Sequence, residues 1–172
     1  MAKKTTPKGL NSEILSLYGF DSPEEAIVAL KSEARKLRYC CLKVWRRYLS
    51  SYKPSHYAVH KTGVKGKRTG HSAKSIQIGG IKQIDFDEIG IEVTFTNDLA
   101  YHDSVMGGKE GHAIMLISQG WKVKKGKHKN IYRFGYYEGF DYLGEVQRMY
   151  DGIKDKRISL EIQWLGNEDY TR

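Results

Sequence analysis

From Ser22 onward the apolar residues Ile27, Leu30, Ala34, Leu37, Cys41, Val44 and Tyr48 recur at alternating steps of three and four, until Pro54 forbids continuation. That is the period of one helical face. The start is marked as well: in Ser22-Pro23-Glu24-Glu25 a capping serine precedes proline at the first helical position, with acids against the positive helix end and glutamate at the capping-box spacing. The pattern predicts one amphipathic helix over 22–52. At about 1.5 Å per residue it spans on the order of 45 Å, longer than a small sheet is wide, so one end is expected to project beyond its own core.

Upstream, residues 1–9 are polar and basic, the composition of a segment that is disordered or ordered by a partner. Asn11 then caps a short helix through Ile14, Leu15, Leu17 and Tyr18, which Gly19 closes. Downstream, 53–72 carries Pro54, Gly63, Gly66 and Gly70 among lysines and histidines without apolar periodicity, and reads as an extended, mobile basic loop. Structureless connections of that length are uncommon in compact domains, so its length argues for function.

Beyond the loop the period changes from helical to alternating. Ile76, Ile78, Ile81 and Ile84, with Gly79-Gly80 between them, read as a strand carrying a bulge or kink. Ile89, Ile91, Val93 and Phe95 alternate with Gly90, Glu92, Thr94 and Thr96 as its partner, and Asp85 to Glu88 makes the turn. His112 to Gln119 reads as a short helix ended by Gly120. Trp121 to Arg133 is a second basic stretch whose Lys125-Gly126-Lys127 suggests a hairpin tip, with Ile131 to Tyr136 returning. Leu143, Val146, Gln147, Tyr150 and Ile153 predict a helix over 141–154, and Ile158, Leu160, Ile162 and Trp164 a closing strand.

Strands mostly adjacent in sequence favour an α+β fold over a doubly wound sheet: a long N-terminal amphipathic helix and a C-terminal helix packed on a small mixed or antiparallel sheet. The division expected is a flexible arm with a short helix (1–21), one domain (22–166) and a tail (167–172). A chain of 172 residues with 40% hydrophobic content can bury roughly 70% of its unfolded surface, so it needs no disulfide or metal staple. Cys40 and Cys41 are adjacent and fit a reducing compartment as small core residues.

Charge changes this picture. The net +9 is segregated: twelve basic residues and no acid from Arg35 to Lys74, and six more without an acid from Trp121 to Arg133. The remaining eleven bases face all twenty acids, so the rest of the chain is acidic by about nine charges. Segregation on this scale calls for an anionic partner, either nucleic acid or the acidic face of another subunit. No apolar run reaches the roughly 18 residues of a membrane span, and the first residues lack a signal peptide's apolar stretch, so a soluble cytosolic chain is expected.

Candidate chemistry is sparse. His56 and His60 have the spacing of two zinc ligands on one helical face, with His71 nearby, but Pro54 and Gly63 bracket them and solvated loop histidines are the plainer account. His102, Asp103 and His112 could serve a metal-dependent nuclease, although no recognisable nuclease spacing fixes their geometry. The glycines of the basic loop lack phosphate-loop spacing. Tyr136, Tyr137, Phe140 and Tyr142 could stack bases, or form core and rim beneath the following helix. No cofactor or metal is expected.

One stretch resembles a known family. Arg68-Thr69-Gly70-His71-Ser72-Ala73-Lys74-Ser75-Ile76 is similar to the R-T-G-x-L-x-x-S-I segment that leads into the first strand of the small neck proteins of tailed bacteriophages, the head-tail connector or tail-completion family. Asn97 to His102 with Gly107 and Gly108, and Gly135 to Tyr142 before a helix and closing strand, resemble later segments of that family, so the likeness spans about 22–165. It implies a non-enzymatic virion protein, assembled in the bacterial cytoplasm into a hexameric or dodecameric ring between the portal side of the head and the tail. The genomic DNA would pass through the lumen in transient contact. Portal, adaptor and tail proteins would be its partners. The residues expected to touch a neighbouring subunit or DNA are Arg46, Arg47, Lys61, Lys65, Lys67, Arg68, Lys122, Lys124, Lys125, Lys127 and Lys129. A DNA- or RNA-binding module is the alternative.

Overall fold

The computed structural model describes residues 12–51, 70–85, 88–96, 101–102, 111–122 and 136–160. In chain order these form α1 (Ser12–Leu17), α2 (Pro23–Ser51), α3 (His71–Lys74), β1 (Ile76–Asp85), β2 (Glu88–Phe95), β3 (Tyr101–His102) and β4 (Gly111–His112). Next come α4 (Ala113–Gln119), β5 (Trp121–Lys122), β6 (Tyr136–Tyr137) and α5 (Tyr142–Asp151). The class is the one expected: mixed α+β, with a long N-terminal helix and a C-terminal helix around a small antiparallel sheet. All three ladders among the described residues are antiparallel and two-stranded.

The N-terminus of α2 follows from its sequence. Ser22 Oγ accepts the Glu25 N–H at 3.2 Å, the serine half of the expected capping box. The glutamate half is displaced by one residue: Glu25 reaches back to the N–H of Asp21 at 2.7 Å instead of that of Ser22. The buried face of α2 is wider than the predicted stripe, because Ala26, Glu33, Cys40 and Trp45 are buried along with Ala34, Cys41 and Val44. Two clusters in tandem occupy that face. Leu15, Phe20 and Ala26 close the first, with Ile158 against it. Cys40, Cys41, Val44 and Trp45 join Ile76, Ile114, Tyr142, Val146 and Tyr150 in the second, against which Tyr48 and Leu49 also pack. The expected projection of one bare end of α2 is therefore not seen among the described residues: apolar packing continues from Ala26 to Leu49.

The hairpin of β1 and β2 bears out the bulge read at Gly79-Gly80. Ile78 pairs with Val93 and Ile81 with Ile91, so three steps on β1 oppose two on β2. Strand side chains alternate between faces, so in a regular ladder Ile81, three positions on, would turn away from Ile78; the bulge absorbs the odd step, and Ile76, Ile78, Ile81, Ile91, Val93 and Phe95 share one face. Val93 and Phe95 anchor the inner end in the core. The register closes at Asp85 opposite Glu88, where the turn was expected.

Elsewhere the structure corrects the sequence. His71 and Ser72, read as the end of the loop, continue with Ala73 and Lys74 into a helical turn closed by Lys74 N–H to Gly70 C=O and Ser75 N–H to His71 C=O. The C-terminal helix stops at Asp151 instead of Lys154, and it buries Tyr142 while leaving Ile153 exposed. No ladder is formed by 158–160, where a strand was predicted to begin. The Ile158 N–H closes a turn onto Asp155 C=O, and its side chain packs on the α1 cluster. The predicted basic hairpin is supported at its base, where Trp121 and Lys122 pair with Tyr137 and Tyr136. Its tip and Ile131–Gly135, the loop 52–69, the arm 1–11 and 161–172 lie outside the described residues.

Candidate interaction surface

The basic residues of α2 divide into two groups by direction. Arg38 is half-buried and its Nε donates to the Ile76 carbonyl at 2.7 Å, tying helix to sheet. Lys36 bonds the carboxylate of Glu33 and the carbonyl of Ile153 at 3.1 Å. Arg47 pairs with Glu145 of α5. These three serve the fold. Lys31, Arg35, Lys43 and Arg46 do not: with Tyr39 they follow one another at steps of four, four, four and three, all exposed on the outward face. No ion pair to a carboxylate engages them among the described residues. Tyr39 is 53% exposed, and Lys43 Nζ lies 5.6 Å from its ring centroid while donating to its hydroxyl at 3.2 Å.

Of the eleven residues expected to contact a partner, the structure thus places Arg46 on this outward face and Arg47 in an internal pair. Lys122 sits in β5 opposite Tyr136. Lys61, Lys65, Lys67, Arg68, Lys124, Lys125, Lys127 and Lys129 lie outside the described residues. Lys31, Arg35, Tyr39 and Lys43, which share this face with Arg46, were not among the eleven, though their spacing of four is visible in the sequence once the buried stripe is known.

The opposite side of α2 holds a polar latch. Glu33 is 4% exposed, and its Oε2 accepts from the Tyr150 hydroxyl at 2.7 Å and the Asp155 N–H at 3.1 Å. Burial alone would raise this carboxyl, but the bonds from Lys36, Tyr150 and Asp155 outweigh it and hold Glu33 below the ordinary carboxylate range. Tyr150 is pushed up in turn by burial and by the carboxylate it faces. Arg157 extends the latch to α1: it donates to the Gly19 carbonyl at 2.8 Å, pairs with Glu25 at 3.1 Å and Asp155 at 2.8 Å, and lies 4.2 Å from the Phe20 ring centroid. Its guanidinium lowers Asp155 to about 2. The shallow cleft beside it, about 290 Å³, is lined by Val28, Ala29 and Ser32 together with these charged groups. Every charged group there that the latch uses is already paired.

The residues weighed for chemistry are structural where they are described. His112 is buried, with Nδ1 accepting the Ile114 N–H at 3.1 Å and Nε2 within 2.8 Å of Ser75 Oγ, which itself donates to the Ser72 carbonyl at 2.7 Å. An Nδ1 that accepts is unprotonated, so the neutral ring donates from Nε2 and both nitrogens are committed to the fold. That removes His112 from the nuclease set, since a general base needs a lone pair open to substrate. His71 is exposed, His56, His60 and Asp103 lie outside the described residues, and no group of three or more potential ligands gathers among those described. Tyr142 is wholly buried, its hydroxyl bonded to the Cys41 carbonyl at 2.9 Å, and Phe140 stacks on Tyr48 at 4.6 Å. These two rings belong to the core and offer no platform for bases. Cys40 and Cys41 are free, buried thiols, and burial pushes Cys41 up to about 12. No described helix is long and apolar enough to cross a membrane.

Compared with protein-family models, curated proteins and solved structures, the chain matches none of them.

Proposed function

We propose that this chain is a structural subunit of the neck of a tailed bacteriophage, forming a ring that joins the portal side of the head to the tail and lets DNA pass. The observation that carries this reading is the outward face of α2: four exposed cations around a half-exposed tyrosine, without carboxylate partners among the described residues, on a chain that is acidic outside 35–74 and 121–133. Grouped like charges raise the free energy of an isolated fold, and an opposed surface on a neighbour offsets that cost while setting register. The motif from Arg68 to Ile76 adds to it, because its resemblance is to ring-forming virion proteins. On this reading the role is assembly, with portal, adaptor and tail proteins as neighbours and no catalytic step. Negative-stain images of the purified protein, alone and mixed with portal complex, should show rings. A strictly monomeric protein with no affinity for virion components would overturn the proposal.

The same cationic face also suits a phosphate backbone. If nucleic acid is the partner, log affinity should fall against log salt with a slope near −0.9 per phosphate contacted. No gel shift at micromolar protein in low salt would exclude it.

A further inference from the structure

Among the described residues, the hairpin of β1 and β2 is anchored on the core at its inner end. Past the bulge, Ile81, Ile84, Ile89 and Ile91 are not among the residues packed on either core cluster, and Ile84 is 63% exposed. Strands of ten and eight residues, at about 3.3 Å per residue, carry the outer end well beyond the Val93 and Phe95 anchor. That outer end is acidic. Asp85 and Glu88 are direct cross-strand partners, and Asp87 follows in the sequence between them, giving three carboxylates in four residues. Like charges gathered within four residues of the chain repel one another, so the tip gains from an external cation. The nearest lysine on the arm is already committed, since Lys82 pairs with Glu92 at 2.6 Å.

The outward face of α2 has the complementary character. It offers Lys31, Arg35, Lys43 and Arg46 around exposed Tyr39, where the tip sequence carries carboxylates just after exposed Ile84. Among the described residues no ion pair joins the two within one copy. An apolar centre with a charged rim is the usual anatomy of a protein interface, and here the two rims have opposite sign. We infer that the β1–β2 tip of one copy seats on the outward face of α2 of the next. Because the two patches differ, the contact is heterologous, the kind that repeats head to tail and closes into a ring when the rotation allows. This inference rests on the ring reading above and names the surfaces that build the ring.

Charge reversal tests it. A tip variant (Asp85→Lys with Glu88→Lys) and a face variant (Arg35→Glu with Arg46→Glu) change exposed strand-end and helix-face positions, and circular dichroism checks that each folds. Each alone should raise the dissociation constant for self-association about tenfold or more, read by mass photometry or sedimentation. Mixed one to one, they should assemble again, because the reversed tip of one now meets the reversed face of the other and the two unaltered patches also remain complementary. Neutralising the face instead (Arg35→Gln with Arg46→Gln) should weaken assembly less than reversal does. Wild-type rings with both reversed variants assembling normally would overturn this contact and leave the ring reading standing. A wild type that never self-associates would overturn the ring reading itself. A face variant that loses binding to a DNA duplex and is not rescued by the tip variant would assign the face to nucleic acid and overturn the contact.

Discussion

Gly139 shows how a single backbone position joins two elements. It takes φ +83°, and a Cβ placed there would lie 2.3 Å from the Ser118 carbonyl oxygen and 2.8 Å from the Gly120 nitrogen. The next residue uses that closeness, since Phe140 N–H donates to Ser118 C=O at 3.2 Å and Ser118 Oγ donates to Phe140 C=O at 2.9 Å. These bonds hold the chain entering α5 against the end of α4 and set Phe140 and Tyr142 in the core. Gly139→Ala therefore meets backbone on both sides as well as an unfavourable φ. It should cost about 3 kcal/mol or more, a fall in Tm on the order of 10 °C by calorimetry. Gly70→Ala is the control. Its φ is +73°, but nothing lies within 4 Å of the added carbon, so conformational strain alone, about 1 kcal/mol, should remain. A melting temperature equally insensitive to both changes would mean that the α4–α5 junction is not held as described.

At the scale of elements, the latch of Glu33, Asp155 and Arg157 fixes α1, α2 and the turn after α5 to one another, and its sign with pH follows from its carboxylates. Glu33, Glu25 and Asp155 are all lowered on folding, Asp155 to about 2 by the Arg157 guanidinium. A lowered carboxylate stabilises the fold above its unfolded value, near 4, and loses that contribution as pH falls through the folded one. Thermal melts should thus be flat from neutral pH to about 4.5 and drop steeply toward pH 2. Glu33→Gln should melt lower at neutral pH, because the Lys36 pair is gone, and lose less between pH 4.5 and 2.5. A variant curve parallel to wild type would rule Glu33 out as a source of the acid sensitivity. The latch also marks where sequence reading stops. The cap at Ser22 and the bulge at Gly79-Gly80 were legible because neighbours within four residues decide them. At 158–160, where a strand was predicted to begin, the chain forms no ladder, and Arg157 just before it is claimed by Gly19 and Glu25, more than 130 positions away, which no periodicity encodes. The same holds for the cations of α2: only their partners in space, Ile76, Ile153 and Glu145, separate Arg38, Lys36 and Arg47 from Lys31, Arg35, Lys43 and Arg46.

For the whole molecule the bulge matters more for aim than for stability. Its extra residue keeps Ile81 on the face of Ile78, yet deleting Gly80 would do so too, because Ile81 would then stand two positions after Ile78 in an unbroken alternation. The outer rungs, from Ile81 opposite Ile91 to Asp85 opposite Glu88, would keep their partners. What disappears is the local bend and added twist of the bulged strand, and with them the direction in which the acidic tip leaves the core. Stability lives at the inner end, where Ile76, Val93 and Phe95 pack on the core, and the deletion does not reach it. The Gly80 deletion should therefore fold, with a Tm within about 4 °C of wild type, the shift that ~1 kcal/mol produces in a chain of this size. Self-association should weaken nonetheless, because a tip that leaves the core in a different direction no longer meets the outward face of α2 on a neighbour already held in register. Mass photometry on the folded deletion variant separates the two effects. Assembly as strong as wild type would show that the direction of the arm is not used.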